Sequence, residues 1–267
     1  MSLYKEVRKK ELLRILNEKK KISVQELIKA LDVSGATVRS DLETLEQEGF
    51  LRRVYGGAVA KEKLEYEFPF QQKLERNVDE KKAIARKALS IVEDNDILFL
   101  DSGTTVLELA KILTGFRNLR VVTISLPVSL ELASVAGIEL FAIGGKVNSK
   151  HLACCDSSTL RYLHEFHFDK AFLGTDGISV ERGLSTNGIE IAEVDRIVVQ
   201  QSRECIVLAD SSKIGSVGFA RTFSLVEDVS VLVTDWHIER HQLKKLRDKG
   251  VNVEVAHREK ALERVSL

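Results

Sequence analysis

The chain has 267 residues, 44% of them hydrophobic, and its 40 Lys/Arg balance 40 Asp/Glu. That length suits a small module joined to a larger one, and the apolar content is ample for a packed core. No apolar run reaches the roughly eighteen residues of a membrane span, and the N-terminal MSLYKEVRKKELL has none of the apolar core of a signal peptide, so a cytoplasmic protein without membrane contact is expected.

A first helix is predicted over Tyr4 to Asn17, with Val7, Leu12, Ile15 and Leu16 turned toward a small core. Ser23-Val24-Gln25-Glu26 reads as a capping box, and Val24, Leu27, Ile28 and Leu31 form the apolar face of a short second helix. After a turn at Asp32-Val33, a third helix is framed by Ser34 as N-cap and Gly49 as stop, with Val38, Leu42 and Leu45 on one buried stripe. Its opposite face carries Ser34, Gly35, Ala36, Thr37, Arg39 and Ser40 near the start, while Glu43, Glu46 and Glu48 come later. Short and hydrogen-bonding side chains at the front of a helix let it sit deep in a DNA major groove. The following FLRRVYGGAVA reads as a hairpin whose Gly56-Gly57 take the positive φ of a tight turn, leaving Arg52, Arg53 and Tyr55 on the ribbon to meet phosphates. Residues 1–60 hold 12 Lys/Arg against 9 Asp/Glu, a mildly basic end consistent with double-stranded DNA as a partner. Amphipathic helices alone would equally suit a protein-interaction module. The run SVQELIKALDVSGATVRSDLETLEQEGFLRRVYGGAV, however, resembles the N-terminal winged helix-turn-helix of the DeoR family of bacterial repressors, with Gly35 standing where that family usually has a larger polar residue.

From Lys61 to Asp79 charge is high, apolar periodicity is weak, and Pro69 interrupts, so 61–79 is predicted as a linker between a DNA-binding domain, 1–60, and an α/β domain, 80–267. Phe68 and Phe70 flank the proline and either dock the linker on the second domain or pack between subunits. Beyond Glu80, helical IARKALSIV, VLELAKIL and PVSLELAS alternate with strand-like DILFLD, LRVVTI and IELFAI. Further strands are expected at Lys170–Leu173, Cys205–Ala209, Val229–Thr234 and Val251–Val255, and a last helix near His241–Lys249. This alternation predicts βαβ units around a mainly parallel sheet. Cys154, Cys155 and Cys205 are odd in number and make a poor disulfide framework, so reduced thiols are expected. Together with His164 and His167, Cys154 and Cys155 match no standard zinc spacing, and no metal is expected.

Ligands of open parallel sheets collect at the carboxyl ends of the strands. After DILFL come Asp101, Ser102, Gly103, Thr104 and Thr105 at the start of a helix, which form either a phosphate cradle or an ordinary helix N-cap. The loop lacks the Walker A lysine and the dinucleotide GxGxxG, so no nucleotide cofactor is expected. Ser125, Gly144-Gly145, Thr175-Asp176-Gly177 and Asp210-Ser211-Ser212-Lys213 follow later strands and would share one rim.

The segments FLDSGTT, TISLP, GGKV, KAFLGTDGIS, GLST and VLADSSKIG resemble successive motifs of the DeoR-family C-terminal sensor domain, so the likeness covers nearly the whole chain. That resemblance implies a fold similar to ribose-5-phosphate isomerase and a phosphorylated sugar as effector. It places Ser102, Gly103, Thr104 and Thr105 on phosphate with Lys213 as charge partner, Asp176 and Glu193 on sugar hydroxyls, and Asp210 on Lys213 or a hydroxyl. The chain departs from the family pattern at Ile124, around Asp156-Ser157, at Asn187-Gly188 and at Ile191, so either the ligand is unusual or these positions lie off the pocket. An isomerase with an appended helical module is the alternative reading, with Glu193 and Asp176 as acid and base. Gly183-Leu184-Ser185-Thr186 stands where the isomerase has a lysine and a glycine run, so binding without turnover is expected. One helix-turn-helix reads a half-site, which implies a dimer or tetramer. The resemblance favours a repressor of a carbohydrate-catabolism operon.

Overall fold

The computed structural model of the chain describes residues 8, 9, 11–13, 15, 16, 19, 21–47, 51–60 and 69–258. They fall into two compact units divided between Tyr66 and Glu67.

In the first unit the described positions from 8 to 19 are helical and bury Leu12, Ile15 and Leu16. Of the predicted first helix, Tyr4, Val7 and Asn17 lie outside the described residues, as do Glu48 and the predicted stop at Gly49. Strand β1 (Lys21–Ser23) leads into α1 (Val24–Leu31). Its capping box is complete: the Ser23 hydroxyl accepts from the Glu26 N–H at 3.2 Å, and the Glu26 carboxylate accepts from the Ser23 N–H at 3.0 Å. Asp32 ends α1 in the left-handed region, φ 49°. Helix α2 (Gly35–Gln47) begins on Ser34, whose hydroxyl accepts from the Thr37 N–H at 3.2 Å. Val38, Leu42 and Leu45 are buried as one stripe, joined by the carboxylate of Asp41, which receives the Arg8 guanidinium at 2.5 and 3.2 Å.

Strands β2 (Leu51–Val54) and β3 (Gly57–Ala60) form the hairpin, and β1 adds a third strand in the order β1-β3-β2, which the sequence reading did not anticipate. The two turn glycines differ in role. Gly56 carries the positive φ, 78°, while Gly57 is already in the strand opposite Ser23. A Cβ at Gly57 would run into the Ile22 carbonyl oxygen and come within 2.9 Å of the Ser23 Cα, so its lack of a side chain is what lets β1 approach.

The second unit opens with α3 (Phe70–Leu74) and α4 (Val78–Leu89). Phe70 is buried in the apolar cluster around Ile84 and Leu98, and its N–H donates to the Lys150 carbonyl at 2.9 Å. Pro69 to Asp79, read as linker, is therefore packed structure of this unit, and Phe70 docks on it; residues 61–68, Phe68 among them, lie outside the described residues. The sheet then builds from β4 (Ile97–Leu100), α5 (Thr104–Ala110), β5 (Leu119–Thr123), α6 (Leu126–Leu132) and β6 (Ile138–Ala142). A short pair, β7 (Val147–Asn148) and β8 (Ala153–Cys154), precedes α7 (Ser157–Leu163) and β9 (Phe168–Leu173). Next come β10 (Gly177–Ser179), β11 (Gly183–Thr186), α8 (Ile189–Gln200) and β12 (Ser202–Leu208). A 3-10 turn at Ser211–Lys213, β13 (Ala220–Arg221), β14 (Val231–Thr234), α9 (Arg240–Asp248) and β15 (Val253–Val255) complete it.

Seven strands are parallel throughout, in the order β15-β14-β12-β9-β4-β5-β6. Successive residues alternate faces, so Leu98 and Leu100 enter one core and Phe99 the other, and both faces are covered. Beside the sheet lies an antiparallel group, β10-β11-β13, that the βαβ reading missed. The three cysteines are buried and free. No helix among the described residues is long and apolar enough to cross a membrane.

Two substitutions separate the roles of the hairpin glycines. Gly57→Ala should destabilise the first unit by about 1–3 kcal/mol through overpacking, and Gly56→Ala by about 1 kcal/mol through left-handed strain. Urea unfolding of both variants checks the order.

Candidate functional site

On the first unit, Ser34, Ala36, Arg39 and Ser40 are exposed along the front of α2, and Thr37 is half-buried. Ser34 and Thr37 spend part of their hydrogen bonding on each other, Oγ to Oγ1 at 2.9 Å. At Gly35 a Cβ would stand 3.2 Å from the Ile28 side chain and 3.5 Å from the Arg39 guanidinium, so the small residue gives both room. Arg52 and Arg53 are both exposed but, as consecutive strand residues, project from opposite faces of the ribbon. Tyr55, at the hairpin tip, is fully exposed. The Arg53 N–H donates to the Glu46 carboxylate at 2.7 Å, which ties β2 to α2 and fixes the ribbon against the helix.

On the second unit, strand order sets the place. The chain moves from β4 outward to β5 and β6, then returns to lay β9 on the other side of β4. Ligands of open α/β sheets bind in the crevice outside the strand ends at such a reversal. Asp101 follows β4 and Gly174 follows β9, and they are joined: the Asp101 carboxylate accepts from the Gly174 N–H at 3.0 Å and from the Ser102 N–H at 2.5 Å. Burial nevertheless pushes the Asp101 carboxyl above its ordinary range, against the pull of those two N–H groups. Ser102, Thr104 and Thr105 are buried beside it, and Gly103 caps α5.

Asp176, two residues beyond Gly174, is also fully engaged. It accepts from the Lys73 ammonium at 2.8 Å, the Thr186 hydroxyl at 3.1 Å and the Asn187 N–H at 3.1 Å. Burial would raise its carboxyl, but Lys73 and Lys213 outweigh burial and bring it down to about 2. Asp210 caps the Ser211–Lys213 turn through the Ser212 N–H and accepts from the Asn77 amide at 3.0 Å. Asn77 reaches it from a left-handed backbone, φ 50°, ahead of α4. One turn into α4, Lys81 is 5% exposed and donates to the Lys73 carbonyl. Burial lowers its ammonium to about 8, opposed by Asp210 and reinforced by Lys213 and Arg76. Half-buried Lys213 thus sits in the same field as Asp176 and Lys81.

The structure brings together Asp101, Ser102, Gly103, Thr104, Thr105, Asp176, Asp210 and Lys213. Ser125 is fully buried and caps α6, its hydroxyl accepting from the Val128 N–H at 3.4 Å. Gly144 and Gly145 pack on the start of α7, where the Gly144 carbonyl accepts from Thr159 at 3.0 Å and a Cβ on Gly145 would crowd Asp156. Glu193, expected to face the sugar, is exposed on the outer side of α8, because the inward stripe of that helix is Ile191, Val194, Asp195 and Val198. That also removes the partner carboxylate of the isomerase reading. Of the departures, Ile124 and Ile191 are buried in one apolar cluster, and Asp156 caps α7.

Lys73, Asn77, Lys81 and Asp195 were not anticipated. Lys73 and Asn77 lie in the stretch read as linker, and no local pattern marks them. Lys81 had a signal: Lys81, Ile84, Ala85 and Ala88 recur at helical spacing and are all buried.

Residues 8–63 match the DeoR-like helix-turn-helix domain, and residues 76–236 match the DeoR C terminal sensor domain. The chain belongs to the DeoR family. Among full-length relatives of the family, the uncharacterized HTH-type transcriptional regulator YulB of Bacillus subtilis is 36% identical over 92% of this chain and 95% of its own. The HTH-type transcriptional regulator GolR of Listeria innocua is 32% identical over 93% and 98%, and the HTH-type transcriptional repressor GlcR of Bacillus subtilis 33% over 87% and 89%. Ribose 5-phosphate isomerase A of Methanocaldococcus jannaschii is similar at 21% identity over 52% of this chain and 55% of that one, with a TM-score of 0.39. This family member is a DNA-binding transcriptional regulator and not an enzyme.

The Asp176–Lys73 pair carries a pH dependence. With its folded value near 2, Asp176 stabilises the sensor unit above the ordinary carboxylate range near 4, and that stability is lost as pH falls toward 2. Lys73→Met should lower stability at pH 7 by about 2 kcal/mol and flatten the acid limb between pH 4 and 2, as read by thermal unfolding across pH.

Proposed function

We propose that the protein represses a carbohydrate-utilisation operon, and that a phosphorylated sugar held at the β4/β9 crevice controls its grip on operator DNA. The observation that carries this reading is the set of cations, Lys73, Lys81 and Lys213, gathered around Asp176 and Asp210, with Lys81 also in the field of Glu108 on α5. A dianionic phosphate would restore Lys81 to its fully charged form and receive N–H and hydroxyl groups from the start of α5. Sugar hydroxyls fit the Asp176, Thr186 and Asn187 side of the crevice. Among relatives, one is named a lactose phosphotransferase system repressor, 33% identical over 84% of this chain, which agrees with a sugar-linked role.

On the DNA side, Ala36, Thr37, Arg39 and Ser40 would face the major groove, with Ser34 on a backbone phosphate. Arg52, Arg53 and Tyr55 would position the ribbon. Because one helix-turn-helix covers a half-site, the acting species is a dimer or tetramer in the cytoplasm. The effector acts by preferring one of two arrangements, and its differential affinity, typically about 1–3 kcal/mol, sets the change in operator binding.

Each half has its own test. Arg52→Ala and Arg53→Ala should weaken operator and nonspecific DNA alike and each reduce the salt slope by about 1; an unchanged slope in titrations over a salt series removes that arginine from the phosphate contacts. For the crevice, Lys81→Met should cost at least about tenfold in hexose 6-phosphate affinity with the fold retained. The wild-type affinity should fall as pH rises through 8, where Lys81 loses its proton. Calorimetry at pH 7 and 9 checks both, and equal affinity in variant and wild type overturns the phosphate assignment.

A further inference from the structure

Among the described residues, Asp195 is the one buried carboxyl with a buried oxygen that no hydrogen bond reaches. It interrupts the apolar inward stripe of α8, is 2% exposed, and its Oδ1 has no protein hydrogen-bond partner. A buried polar atom in that condition is costly to keep and calls for a partner.

Its position points to what that is. Helix α8 starts at the crevice: Asn187, just ahead of it, donates to Asp176, and Asp195 follows Ile189 by about 9 Å of helix axis. From there it lies close enough to Asp101 and Asp176 for the charges of both to act on it. Those two are already answered, Asp101 by the N–H groups of Ser102 and Gly174, Asp176 by Lys73, Thr186 and Asn187. Asp195 is not. Arg196, beside it in sequence, turns away to the Arg221 carbonyl at 2.7 Å on the exposed side of the helix. The buried Cys205 thiol also feels Asp195, and His151 acts on Asp101. Burial, and then the charges of Asp101 and Asp176, push the Asp195 carboxyl well above its ordinary range. A hydroxyl arriving there gains one hydrogen bond. An ammonium gains a charge-assisted bond and the field of two further carboxylates in a place shielded from water.

We propose that Asp195 is the specificity-determining residue of the sensor and receives the primary amine of a phosphorylated amino sugar. The inference rests on the reading that this crevice binds a sugar phosphate, with Lys81 and Lys213 at the phosphate. Pairing with the ammonium favours the ionised carboxyl, so a proton held by Asp195 passes to solvent.

Isothermal titration of the full chain at pH 7 tests this with three matched pairs, glucose, mannose and galactose 6-phosphate against their 2-amino-2-deoxy counterparts, and with inorganic phosphate. In at least one pair the amino sugar should bind about tenfold tighter, with proton release visible as a dependence of the heat on buffer ionisation. Asp195→Asn, which keeps the shape, should bring that pair to within about threefold while leaving inorganic phosphate affinity unchanged. Equal affinity within every pair overturns the inference and leaves the sugar-phosphate reading standing, as does a preference that survives Asp195→Asn. Absence of binding by every sugar phosphate and by phosphate overturns the sensor reading, and the inference with it. Should Asp195→Asn fail to fold, the wild-type comparison and its proton release decide alone.

Discussion

The hydrogen bond from the Gly174 N–H to the Asp101 carboxylate joins the ends of two strands that the chain reaches about seventy residues apart, and the sensor site is hung from that joint. Strand order reverses between β4 and β9, the place at which ligands of open α/β sheets bind. Gly103 and Gly174 face each other across it, each within 3.4 Å of where the other would carry a Cβ, so the two loops stay close without side chains between them. With the strand ends held, Ser102–Thr105 on one side and Asp176 on the other point into one volume. Loss of that joint would leave each polar group sound by itself and the site dispersed.

Charge balance in the crevice follows from burial. Four carboxyls and three lysines meet around it, and Asp101, Asp176, Asp195 and Lys81 are shifted from their ordinary values. Asp176 is brought to about 2 because Lys73 and Lys213 outweigh its desolvation, while Lys81, buried with less help, falls to about 8. An ammonium held that close to neutrality is one that an incoming anion favours. Asp195 lies on the α8 side, where its Oδ1 has no hydrogen-bond partner among the described residues. A ligand with a negative end and a hydrogen-bond-donating end matches that division.

The helix-turn-helix unit is built differently, from short-range devices. Ser23 and Glu26 cap α1 reciprocally, Ser34 caps α2, and Asp32 turns the chain between them. Two longer contacts give the unit its shape: Arg8 reaches the buried Asp41, and Glu46 holds the backbone of β2. The second matters for DNA, because a ribbon that positions phosphates is useful only at a set angle to the helix that reads bases.

Sequence alone determined the parts that depend on neighbours within a turn or a strand. The capping box, the Val38, Leu42 and Leu45 stripe, the hairpin and the alternation of helices with apolar strands were all legible, since 3.6- and 2-residue periodicities are written locally. So was the loop after β4, and the family likeness tied it to a sensor domain. What only the tertiary structure decided is which distant groups share the crevice. Lys73 and Asn77 sat in a charged stretch that reads as linker until Phe70 is seen buried, and nothing near them in sequence announces Asp176 or Asp210. Gly144, Gly145 and Ser125 follow strands as the rule requires, yet packing against Asp156, Thr159 and Val128 occupies them. Glu193 and Asp195 lie two residues apart, and helical geometry turns them to opposite sides, so the acid that the motif marks is exposed while the unmarked one is buried. Local pattern specifies elements; the meeting of charges is set by strand order and burial, which no single stretch of chain contains.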